Sequence, residues 1–179
     1  MTYPVFASGD VLNASDMNAV GLWLVKTQTI GSAVSSVSVT NAFSSDYENY
    51  FITVSGGVAS GNCDLGIQIG AATTNYVFML AYGDFAAGAW TKTGSTTGSS
   101  IQYVGSGDTN KLQASVTLYG PQLAKNTVWT SQWGRWTTTG ISGLYQGFLN
   151  NSTQYTDFSL VPSTGTITGG TIRVYGFRN

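Results

Sequence analysis

The sequence predicts an all-β protein, an antiparallel β-sandwich of jelly-roll-like type that carries one short α-helix near its amino end. Three observations indicate this class. Apolar and polar residues alternate with period two in most segments after residue 22. Turn-forming segments separate them at roughly the 8–12-residue spacing of sandwiches and barrels. The chain has 23 glycines but only 3 prolines and is 13% aromatic, a composition that favours strands joined by tight turns.

The first predicted element is the helix. Asn13 can cap it, Asp16 follows three residues later, and Leu12 and Met17 occupy the two positions of a hydrophobic staple. One narrow apolar stripe lies at helical spacing and consists of Met17, Val20, Gly21 and Leu24. A helix this short is marginal alone in water, so its stripe is expected to dock either on the chain's own body or on identical neighbours.

The helix is expected to end near Gly21, because the hydrophobic period changes to two from Trp23 onward. We therefore assign residues 1–22 to an amino-terminal arm with the anchoring helix. Residues 23–179 form the predicted β-sandwich domain, in which about ten strands fill two packed sheets.

Strands are predicted wherever alternation or a short apolar run lies between turn signals. They are residues 23–30, 34–39, 50–55, 64–70, 76–82, 101–105, 112–119, 127–138, 141–149, 156–160 and 171–177. Residues 43–49 are expected to form a compact turn. Residues 83–100 are rich in Gly, Ser and Thr, which predicts a long exposed loop with one short strand around 89–92.

The low charge of the chain bears on its partners. Charged residues make up only 8% of the sequence, and the formal net charge is −1. The 7 basic residues are scattered without a cluster, which argues against electrostatic binding to nucleic acid. A net charge near zero also gives little colloidal repulsion, which favours a protein that is permanently assembled into something larger.

The residue types argue against the common enzyme classes. The chain contains no histidine, which removes imidazole-dependent triads, histidine zinc sites and the commonest general base. Asp46 and Glu48 are the only closely spaced acidic pair, and a turn role is expected for them rather than catalysis. Cys63 is the single cysteine, so neither an intrachain disulfide nor a thiolate metal cluster can form. We expect no metal and no cofactor.

The beginning of the sequence lacks the basic stretch and apolar run of a signal peptide, and no later segment approaches the length of a membrane span. We therefore expect no membrane insertion. The expected site of synthesis and folding is a cytoplasm, which the protein could leave by cell lysis.

Aromatic residues offer candidate binding positions. In a strand, Trp129 and Trp133 share one face while Trp136 points to the other, beside Arg135. Two interpretations are open for such residues: they pack the core or a subunit interface, or they present a stacking platform for a sugar ring. The candidates for glycan stacking are Trp90, Trp133, Trp136 and Arg135, with Phe85 and Tyr82 nearby in sequence.

Two segments resemble a family of small virion proteins of tailed bacteriophages, many from marine and cyanobacterial hosts. The opening shares a Phe-x-x-Gly-x-x-Leu-x-Ala-x-x-x-Asn pattern at Phe6, Gly9, Leu12, Ala14 and Asn18, followed by a Val-Lys-Thr-Gln-Thr-Ile-Gly strand at residues 25–31. The end is similar to the family's closing segment, with its Gly-Gly-Thr-Ile-Arg-Val-Tyr-Gly finish at residues 169–176. Together these stretches cover roughly half of the chain, and residues 58–146 match only in style.

The resemblance implies a non-enzymatic virion component that is attached by its amino end and displays a β-sandwich. It also implies a homo-oligomer, a trimer, in contact with other virion proteins of the tail or capsid. Host surface glycans are a further expected partner if the aromatic residues form a stacking platform. The location implied is the virion surface. The residues expected to make the anchor and assembly contacts are Phe6, Leu12, Met17, Val20, Gly21 and Leu24.

Four functional hypotheses follow. The first is a short tail fibre or fibre-like protein whose exposed sandwich contacts the host surface. The second is a capsid decoration or cement protein that stabilises the head. The third is a free carbohydrate-binding module, which the missing secretion signal disfavours. The fourth is a glycosidase, which would need two carboxyl groups about 5–9 Å apart.

Overall fold

The computed structural model describes residues 8–9, 21–135 and 140–178, and every regular element in these ranges is a β-strand. The strands are β1 (Leu22–Thr29), β2 (Val37–Val39), β3 (Tyr47–Ser55), β4 (Val58–Ala59), β5 (Cys63–Ile69), β6 (Tyr76–Asp84), β7 (Trp90–Gly98), β8 (Ile101–Gly107), β9 (Leu112–Tyr119), β10 (Thr127–Arg135), β11 (Ile141–Leu149), β12 (Phe158–Pro162), β13 (Ile167–Thr168) and β14 (Thr171–Arg178). Their pairings are antiparallel, which confirms the predicted all-β class. The predicted helix falls on residues that lie outside the described ranges.

Twelve of these strands form one sheet, and that sheet forks. We call its two parts the long arm and the short arm. The long arm contains eight strands in the order β1-β14-β3-β9-β10-β11-β6-β7. The short arm contains four in the order β8-β5-β12-β2. Strands β4 and β13 form a separate two-stranded sheet.

The fork lies at β9, a strand of the long arm that also pairs with β8 of the short arm. One edge of β9 pairs with β3 along nearly its whole length. On the other edge, residues 112–114 pair with β8 of the short arm, whereas residues 116–119 pair with β10 of the long arm. The two arms therefore separate near Ser115, where the pairing along this edge of β9 changes from β8 to β10.

Side chains from both arms form a single hydrophobic cluster. It is built by alternation: on β10 the buried residues include Trp129 and Trp133, and their neighbours Thr130 and Gln132 are exposed. The predicted shared face of the two tryptophans is thus confirmed. Aromatic contacts join the arms, since Tyr103 of β8 meets Tyr145 of β11 with ring centroids 5.4 Å apart.

Several predicted strands match the structure closely. The predictions for residues 112–119 and 141–149 coincide with β9 and β11. The prediction that residues 127–138 form a strand agrees with β10 as far as Arg135. Alternation over several residues on a half-buried sheet identifies strands of this kind well.

The prediction of a long loop at residues 83–100 is wrong. Strand β7 occupies nine of these residues and pairs with β6 as a hairpin. It is an edge strand in which every residue except Ser95 and Gly98 is exposed. Because it has no buried face, it lacks the alternation of apolar and polar residues by which the other strands were identified. The compact turn predicted at 43–49 is also shorter than expected, because β3 begins at Tyr47.

No helix within the described residues is long and apolar enough to cross a membrane.

Candidate functional site

Exposed apolar side chains are concentrated on one surface of the long arm. On this arm, the residues that alternate with the core residues form what we call the outer face. Within the described residues, the large hydrophobic side chains with high exposure are Leu22, Leu24, Met79, Phe85, Trp90, Tyr119, Val128, Leu144 and Phe177. Eight of them lie on strands of the long arm, and Phe85 lies in the β6–β7 turn. Contiguous exposed apolar surface of this kind marks interaction sites.

Strand register arranges part of this surface into a line. Starting at the edge strand β1, consecutive cross-strand partners follow one another to β6. We call this line the apolar row; it contains Leu22, Phe177, Asn49, Tyr119, Val128, Phe148 and Val77. Only Asn49 interrupts its apolar character. Cross-strand neighbours of this kind are close enough for one partner to cover them together.

A cleft of about 500 Å³ lies at the opposite edge of the same face. The β6–β7 turn forms one wall and β11 forms the other. Its aromatic and apolar lining comprises Phe85, Trp90 and Leu144, and its polar lining comprises Asp84, Gln132 and Ser142. The volume lies within the range of small-molecule sites.

The position of Trp90 follows from the glycine opposite it. Trp90 pairs with Gly83 across the β6–β7 ladder. The two carbons shared by the indole rings lie 3.9 and 4.0 Å from the place where a Gly83 Cβ would be. The indole therefore lies across the bare backbone of Gly83 and keeps 73% of its surface exposed.

The turn that carries Phe85 is held by its own backbone and by one carboxylate. Asp84 Oδ1 accepts hydrogen bonds from the N–H groups of Ala86 (2.7 Å) and Ala87 (3.0 Å). Phe85 N–H donates to the carbonyl of Gly140 at 3.0 Å, and any side chain at Gly140 would overlap the Phe85 ring. These contacts fix the turn against the start of β11.

The residues predicted for glycan stacking lie in different environments. Trp90 lines the cleft and is exposed, as that role requires. The prediction is wrong for Trp133, because its ring is only 3% exposed and packs against Tyr82 and Tyr103 at 5.9 and 5.5 Å. Trp136 lies outside the described residues.

Arg135 makes an internal ion pair, and its predicted place beside a sugar platform at Trp136 stays a prediction because Trp136 lies outside the described residues. Its Nη2 donates to both oxygens of Asp64, at 2.8 and 2.7 Å, and its guanidinium lies 5.7 Å from the Trp133 ring centroid. Trp133 Nε1–H donates to the same carboxylate at 3.1 Å. This cluster ties β10 to β5 across the two arms.

Ionisable groups near this cluster are held in their neutral forms. Burial raises the pKa of the Tyr103 hydroxyl, and the Asp64 carboxylate raises it further. Burial likewise raises the pKa of the Cys63 thiol, with Asp64 again adding to the effect. A thiol that stays protonated is a poor nucleophile.

The residues predicted for the anchor fall mostly outside the described ranges. This applies to Phe6, Leu12, Met17 and Val20. Gly21 is exposed with φ 107°, in the region that favours glycine. Leu24 is 54% exposed, but it lies in β1 opposite Tyr175, and its predicted place on a helical stripe is therefore wrong.

The acidic pair singled out in the sequence sits where β3 begins. Ser44 Oγ donates to Asp46 Oδ2 at 3.1 Å, and Asp46 N–H donates back to Ser44 Oγ at 3.3 Å. These are local turn contacts. Within the described residues, no three His, Cys, Asp or Glu side chains come together in an arrangement that could hold a metal ion.

Sequence reasoning missed Leu144, Gln132, Asp84 and Ser142 as parts of one cleft. Their sequence positions span three strands, and only the pairing of β11 with both β6 and β10 brings them together. No local pattern signals that arrangement.

Comparison of the chain with protein-family models, with curated proteins and with solved structures finds no match.

Proposed function

We propose that this chain is a non-enzymatic structural protein of a tailed-bacteriophage virion, attached through its amino-terminal segment and displaying a β-sandwich body that contacts the host. In this proposal the two arms of the forked sheet are the two layers of the sandwich. The protein is a homo-oligomer, a trimer, at the virion surface, in the manner of a short tail fibre. The phage assignment is supported by the resemblance of the opening and closing segments to small virion proteins.

The observation that carries the assembly role is the apolar row. Its first member, Leu22, is also the first residue of β1, so the amino-terminal segment enters the fold beside the row. Leu22, Phe177, Tyr119 and Val128 are between 39% and 44% exposed, although they neighbour one another across strands. Burying such a row against sister chains removes apolar surface from water and stabilises an oligomer.

The near-zero charge points in the same direction. With a net charge of −1, a free monomer that exposes the apolar row would have little repulsion to keep its copies apart. Permanent assembly covers the row and removes that difficulty.

The oligomeric state tests the assembly role. Analytical ultracentrifugation of the full chain should give a trimer, and Leu22→Asp and Val128→Asp should each shift the population toward monomer, because each places a charge in the apolar row that the trimer buries. Thr164→Asp is the matched control, since Thr164 is exposed in a turn away from the long arm, and it should leave the trimer intact. A wild-type chain that is monomeric at all concentrations would exclude the assembly role.

The position on the particle tests the virion role. Gold-labelled antibodies against the chain should decorate the tail of the phage that encodes it, and the same antibodies should slow adsorption to the host. Labelling of the head would replace the fibre role with the capsid-decoration role. Particles that lack the chain would exclude both.

A further inference from the structure

We infer that the cleft between the β6–β7 turn and β11 binds a neutral pyranose ring, which stacks on the exposed face of Trp90. This inference rests on the proposed function, since it names the ligand of the host-contact body.

Trp90 supplies the flat apolar surface that the axial C–H groups of a pyranose require. The indole lies across Gly83, so the backbone there supports the ring, and Trp90 and Gly83 both line the cleft. Because 73% of the residue is exposed, the described chain leaves most of the ring free for a ligand. Tryptophan is highly buried on average, and tryptophan side chains are enriched at interaction surfaces.

The rest of the lining suits the hydroxyl groups of a sugar. Gln132 has both a donor and an acceptor in its amide, and Ser142 has both in its hydroxyl. Asp84 is held in place through Oδ1 by two backbone N–H groups, and these bonds leave Oδ2 to accept from a ligand hydroxyl. A pyranose presents hydroxyls around its edge and C–H groups on its face, which is the same division of polar and apolar groups.

The charge of the cleft excludes other ligand classes. Among the described residues that line it, Asp84 is the one ionisable group, and no Lys or Arg is present. Phosphorylated or carboxylated ligands would meet this carboxylate without a compensating cation. A quaternary ammonium ion would need a more complete aromatic enclosure than Trp90 and Phe85 provide.

The second large cleft on the outer face supplies a contrast. It has about 670 Å³ and is lined by Phe78, Met79 and polar residues of β7 such as Thr93. The Phe78 ring packs on Tyr103 and Tyr145, so it is not a free aromatic platform like Trp90. Met79 therefore provides a control position: it is 50% exposed on the same face but does not line the cleft that contains Trp90.

Direct titration tests the inference. The probes are the methyl pyranosides of glucose, galactose, mannose and N-acetylglucosamine, each added to the full chain up to about 50 mM, well above a dissociation constant on the order of 1 mM. The readout is the set of indole N–H resonances in a proton–nitrogen correlation spectrum, where the Trp90→Phe variant identifies the Trp90 signal. At least one pyranoside should shift that signal in a saturable manner, and the signal of buried Trp129 should stay in place.

The variants make the test specific. Trp90→Ala should weaken binding of the responsive pyranoside about tenfold or more, and Gln132→Ala should weaken it to a smaller extent. Met79→Ala should bind as the wild type does. The inference fails if none of the four pyranosides shifts the Trp90 signal, if Trp90→Ala binds unchanged, or if tetramethylammonium chloride produces a saturable shift that the pyranosides do not.

Failure of this inference can be told apart from failure of the proposed function. If no pyranoside binds although antibody labelling places the chain on the virion, the ligand assignment falls and the virion role stands. If a pyranoside binds at Trp90 although particles lack the chain, the ligand assignment stands and the virion role falls.

Discussion

Replacing Tyr145 with phenylalanine tests whether one buried hydroxyl helps to hold the two arms together. The ring of Tyr145 is 1% exposed on β11 of the long arm, and its hydroxyl oxygen accepts a hydrogen bond from the Gln102 N–H at 3.0 Å. Gln102 lies in β8 of the short arm, where the pairing with β5 shifts between Leu65 and Ile67. Such an irregularity leaves backbone groups without ladder partners, and the tyrosine hydroxyl satisfies one of them.

The size of the effect follows from what the variant leaves behind. Tyr145→Phe keeps the ring and its packing but removes the acceptor of the Gln102 N–H. An unpaired buried polar group costs about 1–3 kcal/mol, and Gln102 is only partly buried, so we expect a loss of about 1–2 kcal/mol. For a chain of 179 residues, this corresponds to a fall in Tm of roughly 2–8 °C.

Urea unfolding monitored by tryptophan fluorescence measures this loss. The midpoint should fall while the slope m stays the same, because the surface exposed on unfolding is unchanged. Amide hydrogen exchange should show faster exchange at Gln102. Tyr119→Phe is the control, since Tyr119 is 41% exposed, and it should change the stability by less than about 0.5 kcal/mol. Equal midpoints for Tyr145→Phe and the wild type would refute the reasoning, and so would an equal loss in the control.

Two further predictions concern pH and packing. Burial raises the pKa of Tyr145 well above the ordinary value of 10, so above pH 10 the Tyr145 hydroxyl ionises in the unfolded chain but stays protonated in the folded chain. The free energy of unfolding should therefore fall as the pH rises above 10, and it should fall less steeply in Tyr145→Phe. Urea unfolding at a series of alkaline pH values measures both slopes. Gly105→Ala should cost about 1–3 kcal/mol, because the added methyl would overlap the backbone of β9, whereas Gly61→Ala has open space and should unfold at the wild-type midpoint. Retention of full stability by Gly105→Ala would contradict the close pairing of β8 with β9.

The faces of the central strands could be predicted from the sequence because their burial is one-sided. Alternation placed Trp129 and Trp133 on one face of β10, and both are buried. Alternation shows which residues of a strand share a face, but it does not show which of the two faces is buried. Asp64 binds both Arg135 and the Trp133 indole N–H, but it lies 71 residues from Arg135 in sequence, so no local pattern showed that this face of β10 is buried as far as Trp133.

The edge of the long arm could not be predicted, because an edge strand contacts the fold on one side only. The glycines of β7 read as turn residues, but in the hairpin they permit close pairing: a Cβ at Gly94 would lie 2.8 Å from the Phe78 carbonyl oxygen. Residues 90–98 are rich in Gly, Ser and Thr, a composition that predicted a loop. In the structure this composition suits a strand that pairs closely with β6 and buries few of its side chains. The cleft depends on this hairpin, so it was missed with it.

The unbroken ladder of the long arm links the β1 edge mechanically to the cleft at the β7 edge. Leu22 lies on one edge strand and Trp90 on the other, and seven strand spacings separate them, or about 34 Å at roughly 4.8 Å each. No linker or hinge interrupts this path, since each strand is hydrogen-bonded to the next. The direction in which the chain leaves β1 at Gly21 therefore fixes the direction in which Trp90 faces, and a pull on a ligand in the cleft would load every ladder between the two edges.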